Sequence, residues 1–126
     1  MDGQELQKIA DDCTAQLPGG EVEHRFDPDW DLYKVSGKVF MLMTDMPGHP
    51  VVILKADPAD AEALREQHAD ITPGYHMNKQ HWITVQGGGT VDEELVRELV
   101  SESYRLVVGG LPRSRRPVDP HAHDRA

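Results

Sequence analysis

The chain has 126 residues and a formal net charge of -9, from 22 acidic and 13 basic side chains. This length favours a single domain with one hydrophobic core. One cysteine excludes an internal disulfide framework, and without a run of about 18 apolar residues no membrane-spanning helix is expected. The first residues have no basic and apolar regions typical of a secretory signal, so we expect a cytoplasmic protein. The negative charge argues against broad, strong binding to nucleic acid or to anionic membranes.

The charge is unevenly distributed along the chain. Residues 1–112 carry 9 basic and 20 acidic side chains, whereas residues 113–126 carry 4 basic and 2 acidic ones. The last segment also has two prolines and a single branched apolar side chain, so it cannot bury an apolar face. We therefore predict one folded domain over residues 1–112 and a disordered basic tail over residues 113–126.

The first half of the chain predicts one helix followed by four strands. Apolar residues recur at helical spacing between Asp2 and Leu17, and Pro18 with two glycines ends this helix. Alternating segments then predict strands, and the Ser-Gly pair at 36–37 predicts a tight hairpin. The four predicted strands are Val22–Phe26, Trp30–Val35, Lys38–Thr44 and Val51–Lys55.

The second half predicts a helix, a strand and a longer helix. Asp57 precedes a proline at the first helical position, so Pro58–His68 is expected to be a short helix over a sheet edge. His81–Val85 is the next predicted strand. Thr90 and Glu93 have the spacing of a capping box for the last helix. The order α-β-β-β-β-α-β-α favours an α+β two-layer sandwich, an antiparallel sheet with the N- and C-terminal helices on one face.

Four stretches resemble the small MmcQ/YjbR-like proteins, whose fold is similar to that of bacterial frataxin (CyaY-like). The most specific stretch is Gly-Tyr-His-Met-Asn-Lys-Gln-His-Trp, at residues 74–82. The resemblance covers nearly the whole chain outside the tail, and it implies a DNA-binding protein. The stretches are Tyr33–Phe40, Leu54–Pro58, Pro73–Trp82 and Ser103–Pro112.

Four lysines lie at strand ends or in loops within these stretches. If they converge at one rim of the sheet, they would hold a few phosphates weakly, and neighbouring polar and aromatic residues would add hydrogen bonds and stacking. The alternative is that strand-end lysines are solvated and protect sheet edges from pairing. The candidate DNA- or anion-binding residues are Lys34, Lys38, Lys55, His76, Asn78, Lys79, His81 and Trp82.

Catalytic and metal sites are not predicted. Cys13 lies on the apolar face of the first helix, as expected for a buried structural thiol. His76 and His81 lack the helical spacing of a metal-binding pair, and His121 with His123 is too few ligands for a structural site. Because no set of nucleophile, base and orienting residue is visible, we expect a non-enzymatic protein without a cofactor or bound metal.

Two alternatives to nucleic-acid binding remain open, both for a non-enzymatic monomer of frataxin-like fold. Acidic residues of the first helix and the following strand would form a ridge that gathers cations or a basic protein surface. An uncovered sheet face would instead bind a protein partner. The ridge consists of Asp2, Glu5, Asp11, Asp12, Glu21 and Glu23. The apolar residues whose exposure decides the second alternative are Trp30, Phe40, Met41, Met43 and Trp82.

Overall fold

The computed structural model describes residues 1–23 and 29–117 as three α-helices and one six-stranded antiparallel sheet. The strands lie in the spatial order β1-β2-β3-β4-β6-β5. A short 3₁₀ helix, Arg113–Arg115, follows the last α-helix. In chain order the elements are α1 (Gly3–Thr14), β1 (Gly20–Glu23), β2 (Trp30–Val35), β3 (Lys38–Thr44), β4 (Val51–Lys55), α2 (Pro58–Gln67), β5 (Ile71–Pro73), β6 (Trp82–Gln86) and α3 (Glu93–Gly109).

The α+β prediction is confirmed, but the predicted order lacks one strand. The missing strand is β5, which pairs with β6 through Ile71 opposite Val85. This strand has only three residues and ends in a proline, so no alternating pattern indicated it. Proline is tolerated there because β5 is an edge strand. The first strand begins at Gly20 instead of Val22, and the remainder of that prediction, residues 24–26, lies outside the described residues.

Aspartates cap all three α-helices, and this corrects one predicted cap. The Asp2 and Asp57 carboxylates accept hydrogen bonds from main-chain N–H groups of the first turns of α1 and α2. The capping box at Thr90 is wrong, because Asp92 is the N-cap of α3 and accepts from the Leu95 N–H at 2.8 Å. Thr90 instead donates its N–H and its hydroxyl to the Asp70 carboxylate, at 3.0 and 2.7 Å.

The main core lies between the sheet and the helices α1 and α3. We call this side of the sheet the helix-covered face. Apolar residues of α1, α3 and alternate strand positions form one buried cluster there, and α2 packs at the edge strand β5, as predicted. Its largest fully buried residues include Leu6, Phe40, Met41, Leu54, Ile83 and Val85.

A β-bulge in β3 places two successive residues on the helix-covered face. Tyr33 lies opposite Met41 and Lys34 opposite Val39, so Phe40 is the extra residue. The buried Ser103 hydroxyl donates to the Phe40 carbonyl and accepts from the Lys55 N–H at 2.8 Å. Because the alternation of side chains is broken at the bulge, Lys38 lies on the same face as Phe40, and Leu42 lies on the opposite face.

The first residues of the predicted tail form hydrogen bonds with the domain. Ser36 donates its hydroxyl to the Arg115 carbonyl at 2.5 Å, and the Arg115 guanidinium donates to the Ser36 carbonyl at 2.7 Å. Arg116 donates to the carbonyls of Leu111 and Gly109, which the end of α3 leaves without helical partners. Residues 113–117 thus contact the domain, and residues 118–126, including His121 and His123, lie outside the described residues.

No helix within residues 1–23 and 29–117 is both long and apolar enough to cross a membrane.

Candidate functional site

Within residues 1–23 and 29–117, no helix packs on the opposite side of the sheet. We call this side the helix-free face. Its centre is a second, smaller buried cluster of Leu42, Val51 and Ile53. Half-buried side chains cover this cluster, from the strands themselves and from the loop between β5 and β6. They are Trp30, Leu32, Val39, Tyr75, Met77 and Trp82.

The covering loop, residues 74–81, contains the family-like motif, and hydrogen bonds to β6 position it. The Gly74 N–H donates to the Trp82 carbonyl at 2.8 Å, and the Tyr75 N–H donates to the Thr84 hydroxyl at 2.8 Å. Thr84 in turn donates to the Pro73 carbonyl at 3.0 Å. A Cβ atom at Gly74 would lie 2.5 Å from the Trp82 Cβ, so only glycine allows this approach. We name residues 74–81 the covering loop.

Three rings from the covering loop and β2 pack together on the helix-free face. Trp30 and Tyr75 are stacked, with ring centroids 6.1 Å apart and planes 11° apart. The exposed His76 ring meets Tyr75 edge-on at 4.2 Å and Trp30 at 6.0 Å. We call these three residues the aromatic cluster. Flat rings at a partly exposed surface are a platform on which unstacked nucleobases can stack.

The predicted Asn78 and His81 have mainly structural contacts. The Asn78 side-chain oxygen accepts from the N–H groups of Gln80 and His81, at 2.9 and 3.2 Å. Its main-chain carbonyl accepts from the Trp82 N–H, so Asn78 holds the end of the covering loop. The His81 carbonyl accepts from the Ala56 N–H at 2.9 Å, and the His81 side chain is exposed. These contacts account for Asn78 without a ligand.

Two of the four predicted lysines already have protein partners. The Lys34 ammonium lies 2.5 Å from a Glu23 carboxylate oxygen, and the Lys79 ammonium donates to the Gly74 carbonyl. Lys79 therefore helps to fold the covering loop. Among the described residues, the ammonium groups of Lys38 and Lys55 have no ion pair.

Strand register decides which lysines share a face. Lys34 lies opposite Val39, and Lys55 lies opposite Trp82, so both lysines belong to the helix-free face, roughly 10 Å apart across β3. Lys38 is at the same end of the sheet. It lies opposite Val35, whose side chain is in the main core, so Lys38 belongs to the helix-covered face. Of the four predicted lysines, Lys38 therefore lies on the other face, and among the described residues Lys55 alone of the remaining three has an ammonium group without a partner.

The acidic ridge is not a single cluster. Asp2 caps α1, Glu23 pairs with Lys34, and Asp11 accepts from the Tyr33 hydroxyl at 2.7 Å. Burial, together with this hydrogen bond to Asp11, raises the pKa of Tyr33, which therefore stays a neutral donor. Within the part of the chain that the structure describes, no three His, Cys, Asp or Glu side chains are grouped so as to hold a metal ion.

Cys13 is buried in the main core, as predicted. Burial raises the pKa of its thiol, although the nearby Arg97 guanidinium, whose nitrogen is 3.5 Å from the sulfur, opposes this shift. A buried thiol with a raised pKa is a poor nucleophile, so Cys13 has the properties of a packing residue.

The residues missed by sequence reasoning are Tyr75 and Thr84. Tyr75 was inside the family-like motif, and its aromatic ring directly after Gly74 was the available signal. Trp30 was noted only as an apolar residue of undecided exposure. No sequence pattern indicated that Thr84 positions the covering loop, because this role depends on a hydrogen bond with Tyr75, nine positions earlier.

Comparison with known proteins identifies the family. The YjbR family model matches residues 15–106. The chain belongs to the YjbR family. It is 41% identical over 113 residues to the uncharacterised protein YbdF of Escherichia coli O157:H7, covering 90% of this chain and 93% of that protein. It is 34% identical to the uncharacterised protein YjbR of Escherichia coli K12 over 111 residues, covering 88% and 93% of the two chains.

Solved structures of bacterial proteins have the same architecture. The crystal structure of Deinococcus radiodurans DR2400, with a DUF419 domain, aligns with a TM-score of 0.75 at 34% identity, covering 91% of this chain and 85% of that one. A crystal structure of a protein from Pseudomonas syringae aligns with a TM-score of 0.68 at 28% identity, covering 84% and 98% of the two chains. The names of these relatives assign no ligand or reaction.

Proposed function

We propose that this YjbR-family protein is a non-enzymatic, cytoplasmic monomer that binds single-stranded DNA weakly through the helix-free face. The observation that supports the proposal is the aromatic cluster of Trp30, Tyr75 and His76 on the helix-free face. Bases of a single strand expose their faces and can stack there, whereas bases in a duplex are already stacked. We therefore expect single-stranded DNA to bind better than duplex.

Phosphate contacts would come from lysines of the same face, which lie at the end of the sheet opposite to Trp30. Lys55 is the best candidate, because its ammonium has no ion pair among the described residues and lies next to Trp82 in the register. Lys34 would contribute less, since Glu23 already neutralises it. With about two phosphate contacts, the logarithm of the binding constant should fall with the logarithm of salt concentration with a slope near -1.5.

Fluorescence anisotropy with a labelled single-stranded oligonucleotide at low salt tests the proposal. Tyr75→Leu keeps an apolar side chain over the cluster but removes the stacking ring, so affinity should fall by about tenfold, within the range for loss of one stacked base. Lys55→Gln should weaken binding and reduce the salt slope by about 0.7.

Lys8→Gln is the matched control for Lys55→Gln, because it removes one exposed lysine from α1, on the opposite layer of the domain. No binding at tens of micromolar protein would refute the proposal. Equal effects of Lys55→Gln and Lys8→Gln would show that any binding comes from general charge attraction and not from this face.

A protein partner on the same face is the second candidate. Glu21 and Glu23 lie opposite Lys34 and Leu32 in the register, so this face presents both charge signs beside its rings. Such a mixed surface suits a protein better than a polyanion. A partner from the host lysate that the wild type retains at high salt, and that Tyr75→Leu loses, would favour this candidate over DNA.

The likeness of the fold to bacterial frataxin stays a prediction. It is supported by the two-layer architecture, with α1 and α3 on one face of an antiparallel sheet. Superposition on a frataxin structure, with equivalent strand order and helix placement as the criterion, tests it.

A further inference from the structure

The two tryptophans of the chain lie at opposite ends of the helix-free face. Trp30 begins β2 and pairs with Thr44 of β3, which pairs with Val51 of β4. Trp82 begins β6 and pairs with Lys55, four residues after Val51. Four residues along a strand and three steps across the sheet each span about 14 Å, so the main chains at the two tryptophans are about 20 Å apart. The two rings therefore mark separate positions on one surface.

The two ends of this face offer different contacts. At one end Trp30 is part of the aromatic cluster. At the other end the half-buried Trp82 lies beside Lys55, whose ammonium has no ion pair among the described residues. Between the ends, the strand positions Leu32 and Ile53 are apolar, and their side chains cannot form a hydrogen bond. Stacking and charge are thus concentrated at the two ends.

The other charges of this face favour Lys55 as the contact for a phosphate. Glu21 and Glu23 lie on the edge strand β1, and the Glu23 carboxylate is paired with the Lys34 ammonium. These two carboxylates repel a polyanion from the β1 edge. Lys55 is on β4, three strands away from β1. A nucleic-acid strand that begins on the aromatic cluster therefore has its most favourable second contact beside Trp82.

We infer that the helix-free face holds a single strand at two points, with one base on the aromatic cluster and a later base on Trp82, whose phosphate contacts Lys55. This two-point mode rests on the proposed binding of single-stranded DNA, and it defines the ligand as an oligonucleotide several nucleotides long. A stacked strand rises about 3.4 Å per nucleotide, so it covers 20 Å in about six steps, and an extended strand needs fewer. A dinucleotide has one step and cannot reach both ends.

The indole N–H groups of Trp30 and Trp82 give one NMR signal for each end of the face, and titration of the full-length chain with thymidine oligonucleotides uses both. With a dinucleotide, the two signals should follow separate binding curves. Tyr75→Leu should then weaken only the response of Trp30, and Lys55→Gln only that of Trp82.

With a thymidine octanucleotide, both signals should follow one binding curve, with at least about tenfold higher affinity than the dinucleotide because a second base is stacked. Each substitution should now weaken the response at both ends. We expect about tenfold for Tyr75→Leu and about two- to fivefold for Lys55→Gln, the ranges for one stacked base and one exposed ion pair. Lys8→Gln, an exposed lysine of α1, is the control and should leave the curves unchanged.

The two-point mode is overturned if the octanucleotide shifts only one indole signal, or if both signals still follow separate curves; DNA binding itself then stands. It is also overturned if Lys8→Gln and Lys55→Gln weaken octanucleotide binding equally, since that result means general charge attraction. If neither oligonucleotide shifts either signal at millimolar concentration, both the two-point mode and the proposed DNA binding are refuted.

Discussion

Leu54 and Ile53 are neighbours on β4, yet they are buried by different means. Leu54 faces α1 and α3, whereas Ile53 faces the covering loop and the half-buried side chains around it. Both residues are almost fully buried, at 1% and 0% exposure. The helix-covered face owes its burial to two long helices with wide apolar stripes, and the helix-free face to one short loop and a few half-buried strand side chains. We therefore expect the two faces to differ in rigidity although they are equally buried, and the following variants test this expectation.

The largest difference is expected between Leu54→Ala and Ile53→Ala. Leu54→Ala leaves a cavity between β4 and the helices α1 and α3. Because these helices cannot move in to fill the cavity, the free energy of unfolding should fall by about 3–5 kcal/mol. Ile53→Ala should lower the free energy of unfolding by only about 2–3 kcal/mol, because the covering loop can move into the cavity that the smaller side chain leaves. Urea denaturation measures both. Equal losses would show that the covering loop is as rigid as the helix layer.

Ser103→Ala tests how the helix layer is joined to the sheet. It removes the hydroxyl between the Phe40 carbonyl and the Lys55 N–H, and leaves two buried main-chain groups without partners, at a cost of about 2–4 kcal/mol. Ser101→Ala, at an exposed position on the same helix, is the control and should change stability by less than about 0.5 kcal/mol. A small effect of Ser103→Ala would mean that water replaces the hydroxyl.

Gly74→Ala tests the helix-free face directly. The added methyl group would overlap the Trp82 side chain, so the covering loop must shift, with a loss of about 1–3 kcal/mol. Tryptophan fluorescence should change as well, since Trp82 is packed against Gly74 and Trp30 is stacked on Tyr75 of this loop. Gly89→Ala, where nothing lies within 4 Å of the new methyl group, should leave the fluorescence unchanged. An unaltered spectrum in Gly74→Ala would contradict this placement of the loop.

The smallest effect is a pH dependence from Asp70. Hydrogen bonds from the Thr90 hydroxyl and then from the Thr90 N–H lower the pKa of Asp70 below its ordinary value of 3.8. Its carboxylate therefore stabilises the folded state fully above that ordinary value, and this contribution is lost as the pH falls through the lowered pKa. Because the site is near the surface, a few tenths of a kcal/mol are expected. The stability difference between wild type and Asp70→Asn, measured by urea denaturation, should be constant near neutral pH and shrink as the pH falls below 3.8.

Local chemistry made several elements predictable from the sequence. The Ser-Gly hairpin forms as expected, with positive φ at both Ser36 and Gly37, and Asp57 before Pro58 starts α2. These features depend on a few adjacent residues. The strand β5 and the bulge at Phe40 depend on pairing with distant strands, and neither leaves a local pattern.

The candidate site was less predictable than the fold. Its aromatic motif was recognised in the sequence, but the availability of each lysine depends on partners from other elements. Glu23 reaches Lys34 because β1 pairs with β2 in one particular register, and Lys79 is bonded to a carbonyl of its own loop. Of the five apolar residues of undecided exposure, Phe40, Met41 and Met43 are in the main core, and Trp30 and Trp82 are on the helix-free face.

The contacts of Arg115 and Arg116 have a practical consequence for shortening the chain. A protein cut at residue 112, the end of the sequence-predicted domain, would lose the two arginines that bond the β2–β3 turn and the last carbonyls of α3. Those carbonyls would then depend on water, and the end of α3 would fray. A minimal version of this domain should therefore extend at least to Pro117, and its melting temperature should exceed that of a version ending at residue 112.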